Sequence, residues 1–253
     1  MPSIHLKKLR VALISLWAFG LLGGTTCVVP NSTAAARRLT VSDQSFSFIP
    51  PEDSGQPRTN RAGGRRGQLC NNAMPTPSLT LLLPPTNQGT TTAAHPTFLA
   101  YLPQTTAQQV FLSLENEDNN YVYHTTFELP EEAGFVSFPI PETAPALESD
   151  KYYKGSLAII CGEILDPNDP VIEGWIKRIS PDMFIEPQPS QRTPFELGAW
   201  YARNGVWFDA LQALAELRIA EPDNLDAIAA WKELLQSVGL DTMGTVPLLD
   251  PVD

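Results

Sequence analysis

Among the side chains that perform chemistry in proteins, two cysteines and two histidines stand out after residue 36. Cys70 and Cys161 would form a disulfide if the chain matures in an oxidising compartment, and the alternative is two separate thiols. His95 and His124 are too few for a zinc site, which takes about four ligands. The sequence has no G-x-S-x-G nucleophile elbow and no H-E-x-x-H motif. It therefore predicts a disulfide and no metal, cofactor or local catalytic site, and it leaves open a hydrolase whose site is assembled from distant residues.

Two acidic segments, residues 115–120 and 166–170, carry carboxylates in predicted turns. Oxygen ligands of this kind bind calcium, but neither segment has the spacing of a known calcium loop. We therefore interpret both segments as solvated turns.

The N-terminus has the order of charged, apolar and small residues that is typical of an export signal. Lys7, Lys8 and Arg10 precede an apolar run, and the small residues that follow end in an A-x-A cleavage pattern at Ala36. The apolar run is shorter than the roughly 20 residues that span a bilayer, so a cleaved signal peptide over residues 1–36 is preferred to a membrane anchor. The mature chain is then predicted to be periplasmic or extracellular.

Charge is distributed unevenly along the predicted mature chain. Loss of the signal peptide removes three basic residues and no acid, which changes the formal net charge from −11 to −14. Residues 37–69 contain six arginines and three acids, so the remaining body carries −17 and should repel nucleic acid. The leader over residues 37–76 is predicted to be disordered; its arginines would lie on its own acidic body or on an anionic polymer.

Residues 77–180 alternate apolar and polar side chains in short segments that favour β-strands. Each segment is rich in Val, Ile, Phe, Tyr or Thr and ends at Pro, Gly, Asn or Asp. Asp118, Asn119 and Asn120 suit a tight hairpin, so the strands that flank them are predicted to be antiparallel. About seven such strands without intervening helices predict an antiparallel β-sandwich of immunoglobulin or fibronectin type, with a small barrel as the alternative.

A proline-rich linker over residues 181–192 separates the predicted strands from a helical pattern. Thr193 and Glu196 form a capping box with proline at the first helical position, and two further helices follow. We therefore assign a helical unit to residues 193–240 and a tail to residues 241–253.

The helical unit resembles one tetratricopeptide repeat followed by a capping helix. The residues on the spacing of such a repeat are Leu197, Gly198, Tyr201, Gly205, Ala210, Leu214 and Pro222. Because about three repeats are usually needed for independent stability, the unit is expected to lean on the sandwich or on a partner.

Aromatic residues are concentrated in the helical unit. Trp200, Tyr201, Trp207 and Trp231 occur at helical spacing, which is typical of a helix-pair core. They exceed what two short helices enclose, so these four residues are the candidate binding surface, with Trp200 and Trp231 expected to remain available to a partner.

Several segments together resemble an exported cyanobacterial family in the domains-of-unknown-function series, number nine-two-eight. They are "LTLLLPPTNQGTTTAAHPTFLAYLP", "NYVYHTTFELP", "SLAIICG", "VIEGWIKRI" and "GAWYARNGVWFDALQALAELR". The resemblance covers residues 79–240 and implies the compartment and the order of the domains. It implies no catalytic residue and no activity.

The sequence thus predicts an exported, non-catalytic accessory protein of the cell envelope that acts through protein–protein contacts and takes no cofactor. A module that binds carbohydrate or envelope polymer is one alternative, and its sign would be an exposed row of Tyr101, Tyr121 and Tyr123. The hydrolase with a non-local site is the other. The oligomeric state is left open.

Overall fold

The alternating segments form strands in a computed structural model that describes residues 44–51, 70, 77–184 and 192–252. The strands are β1 (Thr80–Leu81), β2 (Gln88–Thr91), β3 (Thr97–Leu102), β4 (Gln109–Asn116), β5 (Tyr121–Glu128), β6 (Gly134–Pro139), β7 (Tyr152–Ile160) and β8 (Val171–Arg178). The helices are α1 (Pro194–Arg203), α2 (Trp207–Ala220) and α3 (Leu225–Ser237). The predicted signal peptide lies outside the described residues.

The strands form two open sheets, as predicted for a mainly β protein and in contrast to a closed barrel. One sheet has the order β1-β3-β6, and the other has the order β2-β8-β7-β4-β5. Neighbouring strands are antiparallel except β2 and β8, which are parallel. The prediction of a wholly antiparallel arrangement is therefore wrong for β2. This strand reads "QGTT", and its short polar sequence contains no signal for a parallel partner more than 80 residues away.

Two opposed glycines let the sheets approach closely. Gly155 of β7 and Gly174 of β8 lie directly opposite each other in the five-stranded sheet. A Cβ on Gly155 would lie 2.6 Å from the ring of Phe98 in β3, and a Cβ on Gly174 would clash with Leu83 Cδ1. Because real Cβ atoms do not approach other atoms so closely, the absence of side chains at these positions determines the spacing of the two layers.

The three helices form a third layer that shares its core with the sheets. Trp207 of α2 donates from Nε1 to the Leu82 carbonyl (2.9 Å), and Phe208 packs edge-on against Phe98 with ring centroids 5.3 Å apart. The described residues belong to one compact unit. The helical unit is therefore packed against the sheets. No described helix is long and apolar enough to cross a membrane.

Local sequence signals predicted the start of α1 and the junction between α1 and α2 correctly. Thr193 Oγ1 accepts from the Glu196 backbone N–H (3.3 Å), while the Glu196 side chain accepts from the Thr193 N–H (3.0 Å). Gly205 joins α1 to α2 with a φ of +72°, a left-handed conformation that favours glycine. A Cβ on Gly198 of α1 would lie 3.0 Å from Leu214 of α2, so the small residue lies where these helices touch.

Part of the predicted disordered leader is packed against the helices. Phe46 is 2% exposed and lies edge-on to Phe195 at 4.7 Å, and the Ile49 N–H donates to the Ala202 carbonyl (3.1 Å). The prediction of disorder is therefore wrong for residues 44–51, because their phenylalanines bury apolar area against α1 and α2. Apart from residues 44–51 and Cys70, the leader lies outside the described residues.

The predicted tail is also part of the fold. Leu248 forms a parallel bridge with Phe135 of β6, and the Leu249 N–H donates to the Phe135 carbonyl (2.9 Å). The Val252 N–H donates to the Ser137 carbonyl (3.3 Å). The C-terminal residues thus continue the three-stranded sheet beyond β6.

Candidate functional site

The predicted aromatic binding surface is buried. Trp200, Trp207 and Trp231 are each 0% exposed, and Tyr201 is 9% exposed. The expectation that Trp200 and Trp231 remain available to a partner is therefore wrong in this structure.

The cover over these aromatics comes from residues distant in the sequence. Trp200 lies edge-on to Phe184 (4.8 Å between ring centroids), Trp207 to Phe48 (5.0 Å) and Trp231 to Phe135 (5.5 Å). The helix pair alone does not enclose the rings, as predicted. The chain itself supplies the missing contacts, so these residues stabilise the fold and do not form a binding face.

The two cysteines form the predicted disulfide. Cys70 and Cys161 are bonded, with 5.1 Å between their Cα atoms. Cys161 directly follows β7, so the bond attaches the end of the leader to the five-stranded sheet.

The two histidines lie apart and have different surroundings. His95 Nε2 lies 3.0 Å from the Ala144 carbonyl oxygen, whereas His124 is exposed on β5. Among the described residues, no group of three His, Cys, Asp or Glu side chains is placed to hold a metal ion.

Side-chain oxygen atoms in the two acidic turns accept hydrogen bonds from nearby backbone N–H groups. Asn116 Oδ1 accepts from the N–H groups of Asp118 (3.0 Å) and Asn120 (2.9 Å). Asp169 accepts from the N–H groups of Cys161 (3.3 Å) and Asp166 (2.9 Å). These hydrogen bonds agree with the interpretation of both segments as turns.

Sequence reasoning missed an enclosed carboxylate, Asp209 in the first turn of α2. Its oxygens accept from the Thr91 hydroxyl (2.6 Å), the Thr92 N–H (3.2 and 3.3 Å) and the Thr92 hydroxyl. Burial raises the pKa of Asp209, although these hydrogen bonds oppose the shift. The pKa of Tyr201 is also raised, mainly by burial and secondarily by the negative charge of Asp209. Because its oxygens are engaged, Asp209 attaches α2 to the end of β2 and is poorly placed to act as a base.

A cavity of about 150 Å³ lies between β3, β6 and α2. Its polar lining includes Thr97, Ser137, Gln212 and Glu216, and Gln212 Nε2 donates to Glu216 Oε1 (2.8 Å). Its described lining contains no histidine, no cysteine and no second carboxylate.

Most outer strands of the two sheets are short or covered. The C-terminal residues around Leu248 pair with β6, and β1 has two residues. The corner between α1 and α2 lies against β2, where the Thr90 hydroxyl donates to the Gly205 carbonyl. Within the described parts of the chain, no residue pairs with the outer edge of β5. This eight-residue strand is therefore the candidate interaction site.

The register of β5 shows which of its backbone groups face outward. The Leu129 N–H donates to the Gln108 carbonyl (2.7 Å), in the same register that pairs Phe127 with Val110. Because bonding direction alternates along an antiparallel strand, the intervening residues His124, Thr126 and Glu128 direct their N–H and C=O groups to the outer edge. The side chains of these three residues are exposed.

The side chains beside this edge include an aromatic cluster that sequence reasoning did not identify. His124 lies 5.6 Å from Phe111 of β4 and 5.9 Å from Tyr121, measured between ring centroids. Tyr121 is 64% exposed. The cluster gives the outer face of β4 and β5 an apolar area next to unpaired backbone groups.

The sequence on both sides of β5 is acidic, although Lys154 of β7 pairs with Glu115, the neighbour of Tyr121 across the sheet. No Lys or Arg occurs between Cys70 and Lys151. Glu117 and Asp118 lie at the hairpin end of β5, and Glu131 and Glu132 follow its other end. The middle of the strand is uncharged when its histidine is neutral.

The fold and the site define a class: a two-sheet β protein with a helical layer, an internal disulfide and one long open edge within its described residues. The chain belongs to the family described as Domain of Unknown Function (DUF928), whose model matches residues 61–248. The match begins inside the predicted leader and reaches into the predicted tail, so the range of the sequence resemblance, 79–240, is too narrow. No curated protein matched the sequence.

Proposed function

We propose that this protein is an exported, non-catalytic accessory protein of the cell envelope that binds another protein by adding an extended segment of it to β5. The observation that carries the proposal is the open edge of β5, in a fold whose other outer strands are short or covered. An open edge offers a ready hydrogen-bonding template to an incoming strand.

The composition of β5 favours such pairing. The strand reads "YVYHTTFE" and contains no Lys or Pro, the residues that commonly guard an edge. Aromatic and β-branched residues fit a pleated surface well. A bulge in β5 leaves Val122 as an extra residue between Tyr121 and Tyr123 and distorts the hairpin end, so the regular part of the edge runs from Tyr123 to Glu128.

An added strand gains both backbone and side-chain contacts. Each net backbone hydrogen bond contributes about 1 kcal/mol. Residues of the added strand that alternate towards the outer face would lie beside His124 and Thr126, close to the ring of Tyr121. The backbone would supply much of the affinity, and these neighbours would supply selectivity.

Export of the chain is part of the proposal. The disulfide between Cys70 and Cys161 supports it, because such bonds persist in oxidising compartments. The tetratricopeptide-like unit has a structural role in this proposal, since its aromatic residues are buried against the sheets.

The carbohydrate-binding alternative receives less support. Tyr101 is 8% exposed and Tyr123 is half-buried, so they do not form an exposed row with Tyr121. The rings around His124 are inclined by 36° and 71°, whereas sugar rings stack best on flat platforms.

Replacement of Thr126 by proline tests the proposal. Proline removes the outward N–H and places its ring carbons where the partner's carbonyl would lie, while the bonds to β4 come from neighbouring residues. Peptides selected from a displayed random library on the mature chain are expected to bind Thr126→Pro about tenfold more weakly. The measurement is fluorescence anisotropy.

Thr126→Ala is the matched control, because it loses the same side chain and keeps the N–H. It should bind the selected peptides as the unmodified chain does. Circular dichroism melting would verify that both variants fold. Equal binding by a folded Thr126→Pro variant would exclude the β5 edge as the binding site.

A further inference from the structure

We infer that the segment that adds to β5 is cationic, with Lys or Arg side chains flanking an uncharged centre. This inference rests on the strand addition proposed above and names the chemistry of the partner. Two observations support it: acids lie at both ends of β5, and the nearest lysines form ion pairs with other acids.

The two ends of β5 are acidic and its centre is not. Glu117 and Asp118 lie in the hairpin before the strand, and the exposed side chains of Glu131 and Glu132 follow it. Between these pairs, the exposed His124 and Thr126 carry no negative charge. A strand of similar length laid along this edge would therefore place its ends beside carboxylates and its middle beside neutral side chains.

Neither of the nearest lysines forms an ion pair with these acids, but Lys151, whose pKa is raised mainly by Glu148, also interacts electrostatically with Glu117. Lys151 Nζ pairs with Glu148 (2.7 Å), and Lys154 Nζ pairs with Glu115 (2.7 Å). None of the ion pairs formed by the described residues includes the acids in the hairpin or those that follow β5. A partner with basic ends would find carboxylates that are not already paired.

A second copy of this chain is a poor occupant of the edge. Antiparallel pairing of two β5 strands would bring the hairpin acids of one copy towards Glu131 and Glu132 of the other. Parallel pairing would bring each acidic end towards its own equivalent. Like charges meet in both arrangements, and like-charge contacts disfavour pairing.

The arginines of the leader are a less suitable occupant than a separate polypeptide. The sequence before Cys70, "AGGRRGQL", combines two arginines with three glycines. Glycine is depleted in strands because it loses much conformational freedom and contributes no side-chain packing. This sequence has the required charge and lacks the required strand propensity.

Two synthetic peptides test the inference. Each alternates threonine and valine, and one carries a lysine pair at both ends where the other carries glutamates. With the mature chain at about 50 mM salt, the lysine peptide should bind at least about tenfold more tightly, and the difference should shrink at about 200 mM salt. Fluorescence anisotropy gives both dissociation constants.

Charge variants locate the effect. Glu131→Gln with Glu132→Gln should weaken binding of the lysine peptide about threefold. The matched variant, Glu221→Gln with Asp223→Asn, removes the same charge from the connection between α2 and α3 and should leave binding unchanged. Thr126→Pro should weaken binding of the lysine peptide about tenfold.

The other outcomes would overturn the inference in recognisable ways. Equal binding of both peptides, weakened by Thr126→Pro, would leave strand addition intact and exclude a cationic partner. Lysine-peptide binding that Thr126→Pro does not affect would indicate diffuse attraction to the acidic body. No binding of either peptide would count against both proposals.

Two further measurements distinguish the other occupants of the edge. Dimerisation in sedimentation experiments that Thr126→Pro abolishes would assign the edge to a second copy. Serine substitution of Arg58, Arg61, Arg65 and Arg66 should leave lysine-peptide binding unchanged. Much tighter binding by that variant would show that the chain's own arginines compete for the edge, and it would overturn the assignment to a separate partner.

Discussion

Replacement of Trp207 by alanine is expected to lower the free energy of unfolding by about 4 kcal/mol. The side chain is fully buried, lies edge-on to Phe48 and donates to the Leu82 carbonyl. Its removal would leave a large cavity and an unpaired acceptor where α2 meets the sheets. Urea unfolding of the mature chain, followed by circular dichroism and tryptophan fluorescence, measures the loss.

The same experiment tests whether sheets and helices unfold together. Trp207→Phe should recover part of the stability, because it restores much of the packing and lacks the hydrogen bond. Leu225→Ala should have little effect, since Leu225 is 78% exposed. A Trp207→Ala variant whose helical signal melts separately from an unaffected β-sheet signal would contradict the shared core.

Loss of the disulfide has the second large expected effect. Cys70 and Cys161 are separated by 91 positions, and closing a loop of this length stabilises a protein by about 4–5 kcal/mol in the chain-entropy description. Cys161→Ser should therefore lower the urea midpoint strongly, and reduction of the unmodified chain should do the same.

The Cys70→Ser variant is the matched control for this prediction. It removes the same bond from the other side, so the two single variants and the double variant should have similar stabilities. Unfolding that does not change on reduction, together with two thiols that alkylate freely before reduction, would contradict a disulfide in the native protein.

Local patterns in the sequence were sufficient to predict most strands, the helix start and one turn. Alternation marked β4 and β5, and the hairpin between them contains Asn119 with a φ of +60°, as its residue type suggested. The capping box at Thr193 is formed. Each of these features depends on residues close together in the chain, so their spacing contains the necessary information.

Features that depend on distant residues were missed. Strict alternation places Tyr121 on the same face as Tyr123, but the bulge in the β4–β5 pair shifts the register and leaves Tyr121 beside His124. The burial of Trp200 depends on Phe184, and that of Trp207 on Phe48. No local sequence pattern predicts which distant segment will cover an aromatic side chain.

The β5 edge was not predicted as a site, for the same reason. An uncovered edge is a property of the whole topology, because it requires that no other segment pairs with β5. Two signals were nevertheless present in the sequence: a strand rich in aromatic and β-branched residues, and a long stretch without Lys or Arg before Lys151. Their combination would have directed attention to β5.

Amide hydrogen exchange at β5 tests the central claim most directly. NMR spectra of the mature chain with and without a selected peptide would follow the N–H groups of His124, Thr126 and Glu128. Strand addition predicts that these three amides exchange at least about tenfold more slowly in the complex, while the alternate amides bonded to β4 change little. Unchanged exchange at all three positions in a saturated complex would contradict binding through this edge.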